Sequence, residues 1–541
     1  MAFYEVVNLA PCAGIAMSSS AYKNVGIASL IMMGSVFLSR VVGLVREMSI
    51  AYVGGAGHEV DAYQIAFILP EVLNHVLASG FLSVTFIPIF TRHLVRQREE
   101  EAWRSFSIIL CVFGACAVAG TAVAMVFAPV LVSLAAPGLQ EPDVFEAAVR
   151  MTRIILPAQI AFFAGGLLMA VQFARERFFL PALAPLIYNL GIIAGGLLLR
   201  PWLGVEGFAW GVLVGAFLGN FAVQLAGARR LGLRFRPAWS WTHPDLKEYV
   251  RLTLPLMLGL TMTFSTEFLF RCFGSYLPAG GIAVLNFSLR VMLILVGLFG
   301  QAVGTASFPT MARLAAENNL PELNRLLNRT LRYLALLIPV AAMLMVLSRE
   351  VVRILFQRGR FDPAATTLTA EVLVWFLAGA FAFAAYTVVV RGYYATRNTL
   401  VPALFGTVAV LASLPVYFLG LSLMGTSGIA AAVSLSGILQ VAVLYHLWSR
   451  RSGNAGQGGV YGFYLKMGLL GVGMAAVLAA FRELLLTVLD AGSLTGSLAV
   501  SALVGVAFAG LMLLSGYGLK IPEITDLTGR LFQVIQRKFS H

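Results

Sequence analysis

Long apolar segments, separated only by short charged or glycine- and proline-rich breaks, run through nearly the whole chain. Fourteen of them approach the roughly 20 residues that a helix needs to cross the core of a bilayer. They are predicted near residues 25–53, 61–91, 104–135, 147–173, 181–199, 206–228, 249–273, 282–311, 330–348, 367–394, 400–421, 426–448, 462–488 and 495–517. Charged types make up only 12% of the 541 residues, too few to cover the surface of a soluble globule. The sequence therefore predicts an all-α polytopic membrane protein.

The distribution of lysine and arginine gives the orientation. With both termini in the cytoplasm, 26 of the 38 basic residues fall on the cytoplasmic side and 8 on the outer side. We therefore expect a multi-pass protein of the bacterial cytoplasmic (inner) membrane, and its net charge of +13 needs no nucleic-acid partner. One outer segment, residues 348–362, alternates apolar and basic side chains at helical spacing, which predicts an amphipathic helix on the outer leaflet.

Segments 221 residues apart resemble each other, which indicates an internal duplication. Residues 173–183 match 394–404, Pro88 matches Pro309, and Arg229-Arg230 match Arg450-Arg451. The repeat predicts two six-helix lobes in parallel orientation around a central cavity, followed by two C-terminal helices. The predicted divisions are an N-terminal tail (1–23), an N-lobe (24–230), a C-lobe (231–451), the last two spans (452–518) and a cytoplasmic C-terminal tail (519–541).

Several charged side chains fall inside predicted spans, where an arginine costs about 2.5–3.5 kcal/mol on insertion scales. They are Arg40 and Arg46 in span 1, Asp61, Glu71 and His75 in span 2, Glu267 and Arg271 in span 7, and Arg290 in span 8. We count four arginines against two or three carboxylates and expect a cleft that attracts anions. A guanidinium group suits phosphate oxygens because it can bind two of them at once.

Structural roles remain open for some of these residues. Arg46 would also be satisfied by pairing with Glu47 or by reaching headgroups. Asp61 would also serve as a helix-start charge, and Glu267 with Arg271, at i and i+4, as an internal ion pair. His75 would also be a hydrogen-bonded polar residue rather than a proton carrier. Arg40 and Arg290 are the hardest to assign to structure, since apolar sequence surrounds both.

The segments 39–47, 80–90, 180–189 and 355–361 resemble the MurJ/MviN family, and the resemblance runs in order from about residue 24 to 517. It implies a lipid II flippase of the multidrug/oligosaccharidyl-lipid/polysaccharide exporter superfamily, which moves the undecaprenyl-diphosphate-linked peptidoglycan precursor from the inner to the outer leaflet. It further implies alternating access, a role in cell-wall biogenesis alongside cell-wall synthesis proteins, and a groove for the lipid tail on the last two spans. The site residues that it implies are Arg40, Arg46, Asp61 and Arg290.

Span 2 departs from the family pattern. Where the family has two arginines in Pro-Asn-Leu-Leu-Arg-Arg and a glutamate in Ala-Glu-Gly, this chain has Asn74, His75 and Ser79. We expect Arg271 to compensate for part of the lost charge. The predicted substrate-binding residues are therefore Arg40, Arg46, Asp61, Asn74, His75, Ser79, Arg271 and Arg290.

Alternative functions follow from the same departure and from the scaffold. The chain would also suit a flippase for another polyprenyl-diphosphate-linked oligosaccharide, of the O-antigen or capsule type. A drug or cation antiporter is opposed by the arginine balance. The sequence has no metal-ligand cluster, nucleophile–base set or phosphate-binding glycine loop, so we expect a transporter rather than an enzyme, without a cofactor. Coupling to an ion or to the membrane potential is left open.

Overall fold

The structure is a computed structural model, and it describes residues 19–77, 82–257, 262–490 and 492–526. Ser79, most of the predicted N-terminal tail and residues 527–541 lie outside the described residues. The described part of the chain is helical, without a β-strand. This confirms the predicted all-α class, as the dominance of apolar, self-satisfying segments requires in a bilayer.

Within the described residues, the chain forms two compact units. The N-terminal unit runs up to Ala283 and also includes Arg358–Asp362, and the C-terminal unit comprises Val284–Gln357 and the residues from Pro363 onward. This division lies later than the lobe boundary that the duplication predicts near residue 230, and the lobe boundaries stay a prediction. One helix, α15, runs across the division.

The first fourteen helices build most of the N-terminal unit. They are α1 (Ser19–Gly54), α2 (His58–Ala66), α3 (Ile68–Leu77), α4 (Leu82–Val95), α5 (Glu99–Val126), α6 (Ala128–Ala135), α7 (Pro142–Ile155), α8 (Ala158–Ala174), α9 (Phe179–Leu198), α10 (Arg200–Leu203), α11 (Glu206–Gly215), α12 (Val223–Arg230), α13 (Pro244–Met257) and α14 (Met262–Gly274). Its aromatic core joins α4, α5, α8 and α13, with Phe90, Trp103 and Tyr249 fully buried.

The remaining helices belong to the C-terminal unit, apart from the start of α15. They are α15 (Gly281–Val296), α16 (Ala302–Ala316), α17 (Leu320–Ala335), α18 (Leu337–Val346), α19 (Ser348–Phe356), α20 (Pro363–Ala395), α21 (Leu400–Ser452), α22 (Gln457–Leu486) and α23 (Leu494–Gly518). A side chain caps α23, because the Ser493 hydroxyl accepts a hydrogen bond from the backbone N–H of Gly496.

Ten of the described helical segments are long and apolar enough to cross a membrane. Three predicted spans, 25–53, 61–91 and 249–273, include positions outside the described residues, so the total of fourteen stays a prediction. Helix α21 has 53 residues, which at about 1.5 Å per residue is more than twice the length of one crossing. It is broken at Gly425 (φ 55°, ψ −124°), and its two arms fold back so that Gly420 lies against Gly428 without room for a Cβ atom.

The backbone carries its own record of the duplication. Four residues with positive φ in the first half each have a counterpart 221 residues later. The pairs are Gln97 (58°) with Asn318 (55°), Glu176 (56°) with Arg397 (58°), Gly204 (55°) with Gly425 (55°), and Gly232 (80°) with Gly453 (65°). Three of the four pairs end helices in the Schellman pattern, in which the next N–H bonds a carbonyl five residues back. These bends support the predicted repeat independently of residue identity.

The predicted amphipathic segment forms α19, but its apolar side faces the protein. Val352 and Phe356 are fully buried where α19 packs against α20 and α23. The buried Glu350 accepts two hydrogen bonds from Arg482 of α22, at 2.6 and 3.0 Å. The expectation that this helix lies on the outer leaflet through its apolar face is therefore wrong, because helix packing already covers that face.

Candidate functional site

Arg46, near the end of α1, is held by two neighbours. Its Nη1 donates to Oδ1 of Asn189 on α9 at 3.0 Å, and its Nη2 donates to Oε1 of Glu47 at 2.5 Å. Glu47 is only 3% exposed. The pairing with Glu47 is the structural alternative that the sequence left open, so the charge of Arg46 is compensated within its own unit.

Arg271, on α14, is the most deeply buried cation of the N-terminal unit. Its side chain is 1% exposed and grips both carboxylate oxygens of Glu71 on α3, at 2.5 and 3.1 Å. The predicted i, i+4 partner Glu267 lies farther away, at 3.4 Å. The expected pair with Glu267 is therefore present, but Glu71, 200 residues earlier in the chain, is the closer partner.

These two ion pairs lie within electrostatic range of each other. Glu47 interacts with Arg271 as well as with Arg46, and Tyr188 interacts with both Arg46 and Glu71. We call Arg46, Glu47, Glu71, Glu267 and Arg271 the arginine–glutamate network. It holds two guanidinium groups against three carboxylates. The excess positive charge that the sequence predicts therefore does not come from Arg46 and Arg271 as they are paired here.

Asp61 joins the start of α2 to the start of α15. Its two carboxylate oxygens accept hydrogen bonds from the backbone N–H groups of Gly280 and Ala283, at 2.6 and 2.7 Å. These N–H groups belong to the first turn of α15, where helical partners are lacking and the helix dipole favours a negative charge. Gly280 has φ +87° and a Cβ there would strike the Ala56 carbonyl. In this arrangement Asp61 acts as a positioning residue for the helix that carries Arg290.

A cavity of about 340 Å³ opens beside Asp61 in the N-terminal unit. His58, Glu141 and Tyr276 also line it. A space of this size holds on the order of ten waters at about 30 Å³ each. Among the described residues, no group of three or more histidine, cysteine, aspartate or glutamate side chains is arranged to hold a metal ion.

The remaining predicted site residues are not part of the arginine–glutamate network. Arg40 is half-buried on α1, and no hydrogen bond or ion pair to it is found within the described part of the chain. Asn74 and His75 are half-buried on α3, one turn beyond Glu71, and Arg290 is half-buried on α15. Sequence reasoning did not include Glu47, Glu71 and Asn189 among the site residues. A signal for Glu71 was available, because it stands where the family pattern has an uncharged asparagine.

A second polar cluster fixes the beginning of α13, on the predicted cytoplasmic side. The buried Asp245 lies 2.7 Å from Nε2 of His93, accepts a hydrogen bond from Arg92 at 3.0 Å and another from the Ser105 hydroxyl. Burial raises the pKa of Asp245, but the hydrogen bonds from Ser105 and His93 outweigh burial and hold the pKa below its usual value. This cluster anchors α13 to α4 and α5.

The chain is similar to known proteins over most of its length. A family model described as lipid II flippase MurJ matches residues 50–500. The probable lipid II flippase MurJ of Vibrio cholerae serotype O1 is 26% identical over 519 residues, which cover 91% of this chain and 96% of that protein. The lipid II flippase MurJ of Burkholderia cenocepacia is 26% identical over 464 residues, which cover 84% of this chain and 89% of that protein.

Solved structures share the fold. The structure of a lipid II flippase MurJ in an inward closed conformation superposes with a TM-score of 0.71 at 22% identity, covering 89% of this chain and 98% of that chain. An inward-facing multidrug resistance transporter of the MATE family, in the MOP superfamily, superposes with a TM-score of 0.61 at 15% identity, covering 76% and 94%.

Proposed function

The chain belongs to the family of the lipid II flippase MurJ, and from this premise we propose how its own residues carry lipid II across the membrane. The substrate is an undecaprenyl-diphosphate glycolipid, so the transported headgroup is anionic. The protein is a transporter rather than an enzyme, and the headgroup crosses by alternating access while the polyprenyl tail stays in lipid.

The observation that supports this site most strongly is the state of Arg40. A guanidinium group in a membrane span that lacks a carboxylate partner retains its full capacity to bind phosphate oxygens. We therefore assign the capture of the diphosphate to Arg40 in the N-terminal unit, and a matching role to Arg290 in the C-terminal unit. Arg46 is a secondary candidate, because Glu47 and Asn189 already occupy two of its donors.

Arg271 contributes in a different way. A diphosphate offers the same two-oxygen geometry that Glu71 now supplies, so an incoming headgroup would compete with Glu71 for the guanidinium. Until then the pair keeps a deeply buried cation compensated, which avoids the cost of an unpaired charge in a low-dielectric interior. Asn74 and His75, one turn along α3 from Glu71, would add hydrogen bonds to the sugar–peptide headgroup.

The last two spans provide a surface for the lipid tail. Helices α22 and α23 leave most of their apolar side chains exposed, including Leu465, Leu469, Val472 and Val506. Such a surface suits a polyprenyl chain, because burial of each CH₂ group contributes about 0.8 kcal/mol. This assignment agrees with the tail groove that the family resemblance implies.

The test is transport of lipid II by the purified full chain in vesicles. Arg40→Ala and Arg290→Ala should each reduce translocation at least tenfold, whereas Arg40→Lys should retain part of it because the charge remains. Arg325→Ala is the matched control, since Arg325 is exposed and pairs only with Glu322. Full transport by both alanine variants would overturn the site assignment. A panel of other lipid-linked oligosaccharides, run in parallel, tests the substrate, and preference for one of them over lipid II would overturn it.

A further inference from the structure

The loop between α12 and α13 presents three aromatic side chains away from the protein. Trp239 is 57% exposed, Trp241 is 60% exposed and Phe235 is 45% exposed. The two indole rings contact each other edge to face with centroids 5.7 Å apart. Large aromatic side chains are rarely left uncovered in one short loop, and tryptophan is enriched where a protein meets the headgroup region of a membrane.

Exposed basic side chains surround these rings. They are Arg229, Arg230, Arg234, Arg236, Lys247 and Arg251. The two carboxylates of the same stretch do not offset them, since Asp245 is buried in its cluster and Glu248 pairs with Arg92 at 2.7 Å. The loop and the adjoining helix ends therefore form a strongly positive aromatic surface, which we call the arginine–tryptophan surface.

The backbone holds this loop in place. The N–H of Arg236 donates to the Ser107 hydroxyl at 3.2 Å, and the N–H of Leu233 donates to the Ala228 carbonyl at 3.1 Å. Leu233 and Ala238 pack against the aromatic core of the N-terminal unit. The apolar side chains that the fold needs from this loop already point inward, so packing does not explain the exposed tryptophans.

The duplication supplies an internal comparison. Arg450-Arg451 are the counterparts of Arg229-Arg230, and both pairs are exposed and precede a left-handed glycine, Gly453 and Gly232. After Gly453 the chain continues as Asn-Ala-Gly-Gln-Gly-Gly, without an aromatic or basic residue. The aromatic and basic content is thus particular to the first copy and is not required to end the helix or to reverse the chain.

We propose that the arginine–tryptophan surface binds anionic phospholipid headgroups, with the tryptophan rings inserted at the headgroup level. Charges of one sign favour this occupant over a protein, because protein interfaces are depleted of lysine and of charge at their centres. Anionic leaflets attract basic segments near the membrane, and the positive-inside distribution predicts that this loop faces the inner leaflet. The contact would tether the start of α13 to the lipid.

The experiment measures phosphatidylglycerol binding to the purified full chain by native mass spectrometry, with phosphatidylcholine as the neutral comparison. Arg234→Gln with Arg236→Gln should weaken phosphatidylglycerol binding about 25-fold, since each basic residue near an anionic surface contributes about fivefold. Arg450→Gln with Arg451→Gln is the matched control, which removes the same charge from the second copy and should change binding little.

Two further arms decide the assignment. Trp239→Ala with Trp241→Ala should weaken binding of phosphatidylglycerol while leaving its dependence on salt, because the arginines remain. Equal losses in the arginine variant and in its control would overturn the proposal. So would equal binding of phosphatidylcholine and phosphatidylglycerol, or loss of undecaprenyl diphosphate binding without loss of phosphatidylglycerol binding. None of these measurements depends on transport, so they stand apart from the test of the flippase site.

Discussion

The guanidinium of Arg271 binds both carboxylate oxygens of Glu71, at 2.5 and 3.1 Å, across 200 residues of sequence. The arginine is 1% exposed and the glutamate 31%. Breaking a fully buried pair costs about 3–5 kcal/mol, and the partial exposure of Glu71 should lower this to about 2–3 kcal/mol. The pair is therefore a strong contributor to the stability of the N-terminal unit.

We predict that Arg271→Glu and Glu71→Arg each lower the thermal unfolding temperature in detergent and that the double exchange recovers much of the loss. Each single change places two like charges side by side, whereas the double variant restores an ion pair. Arg325→Glu with Glu322→Arg, an exposed pair on α17, is the control and should change stability by less than about 1 kcal/mol. Purely additive losses would show that the two side chains do not act as a pair.

Glu71→Gln should raise the affinity for the lipid II headgroup, because the glutamine competes less well with a diphosphate for Arg271. Binding of lipid II to the purified variant measures this. We expect a gain of several-fold, with slower transport because release is also weakened. A lower affinity would mean that Glu71 contacts the substrate rather than competing with it.

Asp61→Ala should loosen the first turn of α15. Loss of a helix cap costs about 0.5–2 kcal/mol, so hydrogen exchange of the backbone around residues 280–285 should become roughly 2- to 30-fold faster. Glu59→Ala on the same helix is the control, because Glu59 pairs only with Arg360, at 3.4 Å. If Asp61→Ala abolished transport without faster exchange in this turn, Asp61 would act on the substrate directly.

Gly204→Ala and Gly425→Ala should each destabilise the protein by about 1–3 kcal/mol. Both glycines have φ 55° with ψ near −125°, a conformation that a Cβ atom disfavours strongly. Gly473→Ala, in the middle of α22 with open space around its Cβ position, should be neutral or slightly stabilising. Thermal unfolding of the three variants checks this, and equal effects would remove the conformational explanation.

The Asp245 cluster should remain intact throughout the physiological pH range. The pKa of Asp245 is held below its model value of 3.8, so its stabilisation is fully present above that pH and is lost as pH falls through the lowered pKa. The difference in unfolding temperature between the wild type and Asp245→Asn should thus be constant from pH 8 to 5 and shrink below pH 4. A difference that disappears near pH 6 would assign the effect to His93 instead.

The sequence predicted what depends on local pattern and missed what depends on contacts between distant segments. The apolar runs predicted the helices, and the 221-residue offset is matched by bends such as those at Gln97 and Asn318. The i, i+4 spacing predicted the contact between Glu267 and Arg271. No local signal relates Glu71 to Arg271 or Glu350 to Arg482, because each pair forms only when the helices pack.

The recurring left-handed bends show which property of a duplicated membrane protein persists longest. At two of the four paired positions the amino acid has changed, from glutamine to asparagine and from glutamate to arginine, while the torsion angle has stayed within a few degrees. Selection has evidently acted on where the chain turns rather than on which residue turns it. Ancient relatives of each half should therefore be found more readily by comparing series of backbone torsions than by aligning letters.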